Sequence, residues 1–352
     1  MIKNNFKIGN KTIGPGHPVL VVAEISCNHQ QSFEKAKEMV KTACELGVGA
    51  IKIQTYTPDT QTLNSKEGSF QIKVNPAWRG RTLHDLYKLA YTPWEWDAKL
   101  KEIAEGYGVP LFSTVSDDAS VDFLEKLGMP AYKIASFELT DLELLKRVAR
   151  TKKPVIISRG MSTLSELKEA FETLRKNNAS EIAILHCVSS YPAKPEELNL
   201  ATIPDIKKRF GVITGLSSHY LGISDAIASV ILGASIIEKH FTLNRYDGGF
   251  DAAYSLEPKE LEELIRSVRD VEKAIGKVSY NMGKGESENI IFRRSLWVVK
   301  PIKKGEKFTT ENIGRFRPGS GLAVKFLPKI IGKTAKKNIK VYTPLNWELV
   351  KD

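Results

Sequence analysis

The sequence predicts a closed (β/α)8 barrel followed by a small β-rich domain. Three observations carry that prediction. The first is a set of eight short apolar runs, each ending in a polar or ionisable residue: VLVVAE (Val19–Glu24), AIKIQ (Ala50–Gln54), PLFST (Pro110–Thr114), AYKIAS (Ala131–Ser136), VIIS (Val155–Ser158), AILHC (Ala183–Cys187), ITGLS (Ile213–Ser217) and IIEKH (Ile236–His240). Runs this short and this apolar are buried on both faces, as parallel strands covered by helices are. The second is the helix-length spacing between the runs, since eight β/α units in about 250 residues is the size of such a barrel. The third is a composition shift after Gly276, where GKVSYNMGKGES (Gly276–Ser287) is rich in Gly and Ser and has no long apolar period. The predicted organisation is a barrel over residues 1–276, a linker over 277–290 and a β-rich domain over 291–352.

The remaining elements follow in order. Residues 6–18 read as a hairpin around Gly9-Asn10 and a Gly/Pro-rich turn, placed to cover the barrel floor. Ser32–Leu46 has helical spacing and stops at Gly47, a residue type suited to the position after a helix. The connection from Thr55 to about Tyr91 is too long for an ordinary βα loop; it contains Trp78, Gly80 and His84-Asp85-Leu86-Tyr87, and part of it is expected near the site. Thr92-Pro93-Trp94-Glu95 reads as an N-cap, a first-turn proline and an acidic third position. Asp141–Thr151, Thr163–Asn177 and Pro258–Ile275 read as amphipathic helices, with Ser162 or Thr163 and Glu166 forming a capping box. In the tail, Ser295–Val299 and Lys340–Leu349 are short β-like runs. A domain of about 65 residues has marginal stability alone, so it is expected to dock on a barrel.

Bulk composition narrows the function. The 352 residues, 42% of them apolar, support a large core. No apolar run approaches the ~20 residues a membrane helix needs. MIKNNFKIGNKTIG lacks the apolar stretch of a secretion signal, so no membrane association is expected. Cys27, Cys44 and Cys187 have neither disulfide nor metal spacing. The expectation is a soluble protein in a reducing cytoplasm. The formal charge of +11 is either a basic surface or the mark of an anionic substrate. No nucleic-acid partner is expected, because no RNP, zinc-finger or helix-turn-helix signature is present.

In this fold the C-terminal strand ends converge on the active site. The polar groups there are Glu24, Lys52, Gln54, Thr114, Lys133, Ser136, Ser158, His186, Ser217, His219, Glu238, Lys239 and His240, and they read as one site. His219 and His240 are the metal candidates. They close the seventh and eighth strands and have the parity of Ser217 and Glu238. Two imidazoles with oxygen donors suit Mn²⁺, Co²⁺, Fe²⁺ or Zn²⁺; the bland alternative is two hydrogen-bonded histidines. Lys52 and Lys133 interrupt apolar runs, and a buried lysine needs an anion. They are an internal ion pair with Glu24 or Glu238, a phosphate or carboxylate clamp, or a Schiff-base nucleophile. The nearby hydroxyls of Thr114, Ser136 and Ser158 favour the clamp. Gly248-Gly249-Phe250-Asp251 suits a tight turn in which Asp251 either caps the backbone or meets sugar hydroxyls.

Taken in chain order, these segments resemble the sialic acid synthase family, which condenses phosphoenolpyruvate with an N-acylated amino sugar. The segments are AEISCNH (Ala23–His29), IKIQTY (Ile51–Tyr56), AYKIASFELTD (Ala131–Asp141), KPVIISRGM (Lys153–Met161), LHCVSSYPA (Leu185–Ala193), GLSSH (Gly215–His219), IEKHFTL (Ile237–Leu243) and YSLEP (Tyr254–Pro258). The tail, with RRSLWVVKPIKKGEKFTTENI and FRPGSGL, is similar to the antifreeze-like SAF (β-clip) domain of the same family. TLHDLYKLAYTPWEW (Thr82–Trp96) and GGFDAAYSLEP (Gly248–Pro258) most resemble the pseudaminic branch, which uses 2,4-diacetamido-2,4,6-trideoxy-L-altrose; the legionaminic and N-acetylneuraminic branches are the alternatives.

The resemblance implies a transferase that releases phosphate and makes a nonulosonic acid. It implies that His219 and His240 bind a divalent metal, Mn²⁺ ahead of Mg²⁺ or Co²⁺. It also implies that Lys52, Thr114, Lys133, Ser136, Ser158 and Ser217 hold phosphoenolpyruvate, that Gln54, Tyr191 and Asp251 meet the sugar, and that Glu24 is the acid/base. Arg317 would enter a partner's barrel in a domain-swapped homodimer. Three segments depart from the family pattern: Ser113–Asp117 for STPFD, Ser158–Met161 for STGM and Gly215–His219 for GLSDH. A lysine Schiff-base aldolase, and a degenerate barrel whose SAF domain is a carbohydrate- or ice-binding module, are the competing classes.

Overall fold

Eight parallel strands close into a barrel in the computed structural model, which describes residues 2–73 and 78–351. Ahead of them β1 (Phe6–Ile8) and β2 (Lys11–Ile13) form an antiparallel hairpin. The barrel strands are β3 (Leu20–Glu24), β4 (Ala50–Thr55), β5 (Leu111–Val115), β6 (Tyr132–Ile134), β7 (Val155–Arg159), β8 (Ile182–Cys187), β9 (Ile213–Ser218) and β10 (Ile236–His240). Each pairs with its chain neighbours, and β10 pairs with β3 to close the ring. Every predicted run is a strand. The largest change is at β6, which stops at Ile134 and leaves Ser136 in the turn beyond it.

Side chains alternate across a strand, and the barrel sorts its residues by that parity. Leu20, Val22, Ala50, Phe112, Ile156, Leu185 and Ile236 fill the interior, where Phe6, Ile8 and Ile13 of the hairpin join them and plug the floor. Val21, Ile51, Ile53, Tyr132, Ile157 and Ile237 face outward into the helix layer. Polar residues that continue the inward parity therefore end up above an apolar plug, shielded from water below.

The helices follow their capping signals. Ser32 caps Phe33–Glu45, and Gly47 beyond it has φ +87°. Thr163 and Glu166 make the box that starts Leu164–Lys176, and Asp141 caps Leu142–Ala149. One start differs by a residue. Trp94–Gly106 begins after Pro93, which has no cap to offer, because the Thr92 hydroxyl is spent 3.3 Å from His29 Nε2. That helix is held to the barrel by buried Asp97, which accepts from Thr55 Oγ1 at 2.6 Å; Thr55 in turn lies 2.7 Å from Ser113 Oγ. In the long β4–β5 connection Thr82 caps Leu83–Ala90, and residues 74–77 lie outside the described residues.

Contacts divide the chain at Gly276 into two compact units. In the second, β11 (Ser295–Val298) pairs antiparallel with β12 (Ile313–Phe316), and β13 (Thr334–Ala335) with β14 (Val350–Lys351). Leu296, Val298, Phe308, Ile313 and Leu345 are part of its core. The stretch expected as a linker contains a short helix, Lys284–Glu288. Lys340–Leu349 is not a strand. It meets β11 through single bonds such as Tyr342 N to Val298 O, 2.8 Å, but Tyr342 has φ +63° and Pro344 has no N–H to extend a ladder. Among the described residues no helix is long and apolar enough to cross a membrane.

Burial pushes the Asp97 carboxyl up to about 7, with only the Thr55 bond opposing it. A group raised in the folded state stabilises below its unfolded pKa and loses that contribution as pH rises through its folded pKa. Asp97→Asn keeps an acceptor for Thr55 and cannot ionise. Its unfolding free energy is expected to match the parent below about pH 4, to exceed it by a growing margin as pH rises from about 4 to 7, and to keep a constant lead of roughly 2–4 kcal/mol above pH 7. Equal melting curves at pH 9 would contradict the assignment.

Candidate active site

Four buried charges occupy the C-terminal end of the barrel interior. Lys52 on β4 forms an ion pair with Glu24 on β3 and lies 3.4 Å from Glu238 on β10. Lys133 on β6 is 3.9 Å from the same Glu238 oxygen. Glu24 also accepts from the Ser26 N–H at 2.8 Å and from Gln54 at 3.2 Å. Two ammoniums therefore face two carboxylates, and the electrostatics follow. Burial opposes the Lys52 ammonium, yet the Glu238 and Glu24 carboxylates lift its pKa above the ordinary lysine value. Burial also opposes the Glu238 carboxylate, but Lys133 and Lys52 hold it below its usual range. For Glu24 burial wins over Lys52, and its pKa rises. Lys133 is lowered, because burial exceeds what Glu238 returns. Glu24 is thus a buried carboxyl whose proton affinity burial has raised despite its lysine partner.

Hydroxyls converge on the lysines. Lys52 Nζ donates to Thr114 Oγ1 at 2.8 Å, and Ser217 Oγ donates to Glu238 at 3.0 Å. Ser136 Oγ lies 2.8 Å from Ser189 Oγ. A Cβ at Gly160 would collide with both of those serines, so glycine lets the β7 loop pass beneath them. Ser158 Oγ, Glu238 Oε2 and His240 Nδ1 are buried without a hydrogen-bond partner. Buried polar atoms are normally paired, and orphans gathered at one barrel end are what a polar ligand would satisfy.

His219 and His240 stand side by side, ring centroids 5.3 Å apart. Burial holds both neutral, His219 down to about 4 and His240 well below the ordinary range. His219 Nδ1 lies 2.9 Å from Val188 O. A carbonyl can only accept, so Nδ1 carries the proton and Nε2 keeps its lone pair. His240 Nδ1 faces Asp251 at 3.5 Å. Two neutral imidazoles with free lone pairs suit a divalent cation. Among the described residues no three His, Cys, Asp or Glu side chains form a complete cation cage, so further ligands would be water or substrate oxygens.

The outer part of the site is aromatic. Tyr191 lies tilted against His219, ring centroids 4.2 Å apart, stacks on Phe137 and also meets Tyr254 and Trp78. Asp251 is buried and accepts from the hydroxyls of Ser26 and Tyr254; no backbone N–H takes its side chain, so it is no plain turn cap. Gly249 has φ +121°, and a Cβ there would press on Asn28 Oδ1 at 2.9 Å.

These features have known counterparts. Residues 39–280 match the NeuB family and residues 293–351 the SAF domain. The chain belongs to the NeuB family. It is 41% identical to the pseudaminic acid synthase of Helicobacter pylori, over 94% of this chain and 97% of that one. It is 37% identical to the N,N'-diacetyllegionaminic acid synthase of Campylobacter jejuni, over 91% and 97%. A crystal structure of the N-acetylneuraminic acid synthetase of Leptospira borgpetersenii, in complex with citrate, superposes with a TM-score of 0.72 at 31% identity, covering 81% of this chain and 95% of that one. The chain is an enzyme of the nonulosonate-synthase kind.

Within this NeuB-family barrel, Glu24, Lys52, Gln54, Thr114, Lys133, Ser136, Ser158, Tyr191, Ser217, His219, His240 and Asp251 lie at one strand-end face, while Arg317 belongs to the second unit. Two strand-end residues do not join them. His186 and Lys239 have outward parity; His186 Nε2 meets Leu198 O at 2.6 Å, and Lys239 is buried behind the sheet. The departures also point away. Val115 packs in the outer core, Arg159 donates to Gly160 O at 2.9 Å, and Ser218 faces outward. Sequence reasoning missed Glu138, after β6, whose burial lifts its pKa to about 7 against the pull of Lys133. Its signal was the polar run following a buried lysine, in ASFELTD.

Removing the central cation should expose the charge balance. Lys52→Met leaves Glu24 and Glu238 facing each other and is expected to cost about 3–5 kcal/mol of stability. Adding Glu24→Gln should recover a large part of that. Denaturant unfolding of both variants checks the coupling, and additive losses would refute it.

Proposed function

We propose that this chain condenses phosphoenolpyruvate with 2,4-diacetamido-2,4,6-trideoxy-L-altrose, releasing phosphate by C–O cleavage and giving pseudaminic acid. The observation that carries the reading is the pair of buried lysines ringed by Thr114, Ser158 and Ser217 hydroxyls. A small trianion needs desolvated cations and donors in that arrangement. The pseudaminic branch is favoured by 41% identity to one such synthase against 37% to a legionaminic one. The three buried free cysteines fit a reducing cytoplasm.

In this reading Lys52, Lys133, Thr114, Ser136, Ser158 and Ser217 hold the phosphate and carboxylate and aim C3 at the sugar aldehyde. A divalent cation between His219 and His240 would supply Lewis-acid polarisation of that carbonyl. Gln54, Tyr191 and Asp251 orient the sugar, and Arg317 from a domain-swapped partner completes its acylamino pocket. As C3 bonds to the aldehyde carbon, the C=O π pair moves onto the aldehyde oxygen, which takes up a proton to become the new hydroxyl, and positive charge develops at C2. Glu24 takes the proton of the water that adds there. The lysines then stabilise phosphate as its bond to C2 breaks.

The direct test is phosphate release from phosphoenolpyruvate with Mn²⁺, offering the altrose sugar, its legionaminic counterpart and N-acetylmannosamine separately, each with and without EDTA. Metal-dependent release with the altrose sugar alone is expected; preference for another sugar moves the branch. In ¹⁸O-water, label should enter the C2 hydroxyl of the product, and label found only in phosphate refutes C–O cleavage. The lowered pKa of Lys133 also suits a Schiff-base nucleophile, which borohydride with pyruvate would trap. Ser158→Ala should raise KM for phosphoenolpyruvate about tenfold with little change in melting temperature, because its hydroxyl has no partner to lose.

A further inference from the structure

Lys239 is the one buried lysine of β10, wholly shielded from solvent, and it lies on the opposite face of the strand from Glu238 and His240. It touches neither the charge cluster nor the interior. Its ammonium donates to Ser218 Oγ at 3.0 Å and to the Tyr220 carbonyl, and stands 3.8 Å from Asp225 Oδ1. Ser218 Oγ in turn donates to Asp225 and accepts from the Tyr220 N–H at 3.2 Å. One hydroxyl, one ammonium and one carboxylate thus grip the residues on both sides of His219. The ammonium comes from the residue immediately before His240. Asp225 sits in the first turn of the helix Ser224–Ile231, where the dipole favours a negative charge.

A buried ion pair adds little stability compared with apolar packing of the same volume. This one does something apolar packing cannot do: it fixes two carbonyl- and hydroxyl-bearing positions relative to a neighbouring strand. Val188 O orients the His219 ring from one side, and Ala193 N–H bonds His219 O at 3.1 Å. The Lys239 network holds the backbone that carries that ring. We propose that Lys239, with Asp225 and Ser218, is a positioning residue that sets the spacing and aim of the His219 and His240 imidazoles from behind the sheet. The inference rests on the reading of that pair as a metal site. Groups that orient metal ligands typically change metal affinity 10- to 100-fold when removed.

The test is Mn²⁺ affinity, read by the paramagnetic resonance signal of free Mn²⁺, with the visible spectrum of bound Co²⁺ as a geometric readout. Lys239→Met alone strands Asp225 and should lower both stability and affinity. The double variant Asp225→Asn/Lys239→Met removes the stranded charge. Its melting temperature should return toward the parent while Mn²⁺ affinity stays about tenfold or more weaker and the Co²⁺ spectrum stays altered. Ser218→Ala, which keeps the ion pair, should weaken Mn²⁺ severalfold. Parental Mn²⁺ affinity in the double variant, or in Ser218→Ala, overturns the positioning role and leaves the metal site intact. No Mn²⁺ or Co²⁺ binding by the parent protein overturns both, and is told apart by that control.

Discussion

The structure depends on keeping four charges neutral as a set inside a barrel. Lys52, Lys133, Glu24 and Glu238 are each almost fully buried, and none could be removed from water alone at tolerable cost. Their mutual compensation explains several features at once. The hairpin plug and the apolar lower layer keep water from below. The hydroxyls of Thr114 and Ser217 satisfy lone pairs and protons the ion pairs leave over. Gly160 lets the loops above close tightly enough for Ser136 and Ser189 to meet. Each is a consequence of placing ionisable groups on inward positions of a parallel barrel.

The fold was legible because its signal is local and repeated. Eight apolar runs, each too short for a helix, leave little choice of architecture, and all eight are strands. Membership of the site was less legible, because a polar residue at a strand end points inward or outward according to parity. Counting by twos from Ile236 places Glu238 and His240 inside and Lys239 outside; counting from Ala183 and Leu185 places His186 outside. That information was in the sequence. What was not there is partner choice. Thr92 looks like a helix cap, but a buried histidine from another loop takes its hydroxyl. Lys340–Leu349 looks like a strand, and Pro344 with the left-handed Tyr342 breaks it.

The two faces of β10 divide the labour of that strand. Inward, Glu238 balances the lysines and His240 faces its fellow imidazole. Outward, Lys239 is buried against a different carboxylate, Asp225. The two lysine–carboxylate systems differ in what surrounds them. Inside, orphaned oxygens and nitrogens remain on Ser158, Glu238 and His240, the mark of a site built to receive something. Outside, the Lys239 ammonium and the Ser218 hydroxyl are spent on named partners within the network, while Asp225 keeps one oxygen without a hydrogen bond, 3.8 Å from the ammonium.

Charge balance also constrains how the proposed reaction begins. The four-charge cluster is close to neutral by itself, so a trianion entering it has no unspent cation to meet. Three sources of compensation are available in the geometry. The lysines can turn from the carboxylates toward the ligand, a proton can settle on Glu24 or Glu138, whose pKa values burial has already raised, and a divalent cation can sit between the histidines. Each lowers the cost of the others, because all act on one shared electrostatic potential in a low-dielectric pocket. Proton uptake, cation binding and anion binding are then linked equilibria, and by linkage each must strengthen the others equally in both directions. Glu24 is one of the two carboxyls that can take that proton, and it sits beside Lys52 with Gln54 and the Ser26 N–H fixed on its other oxygen.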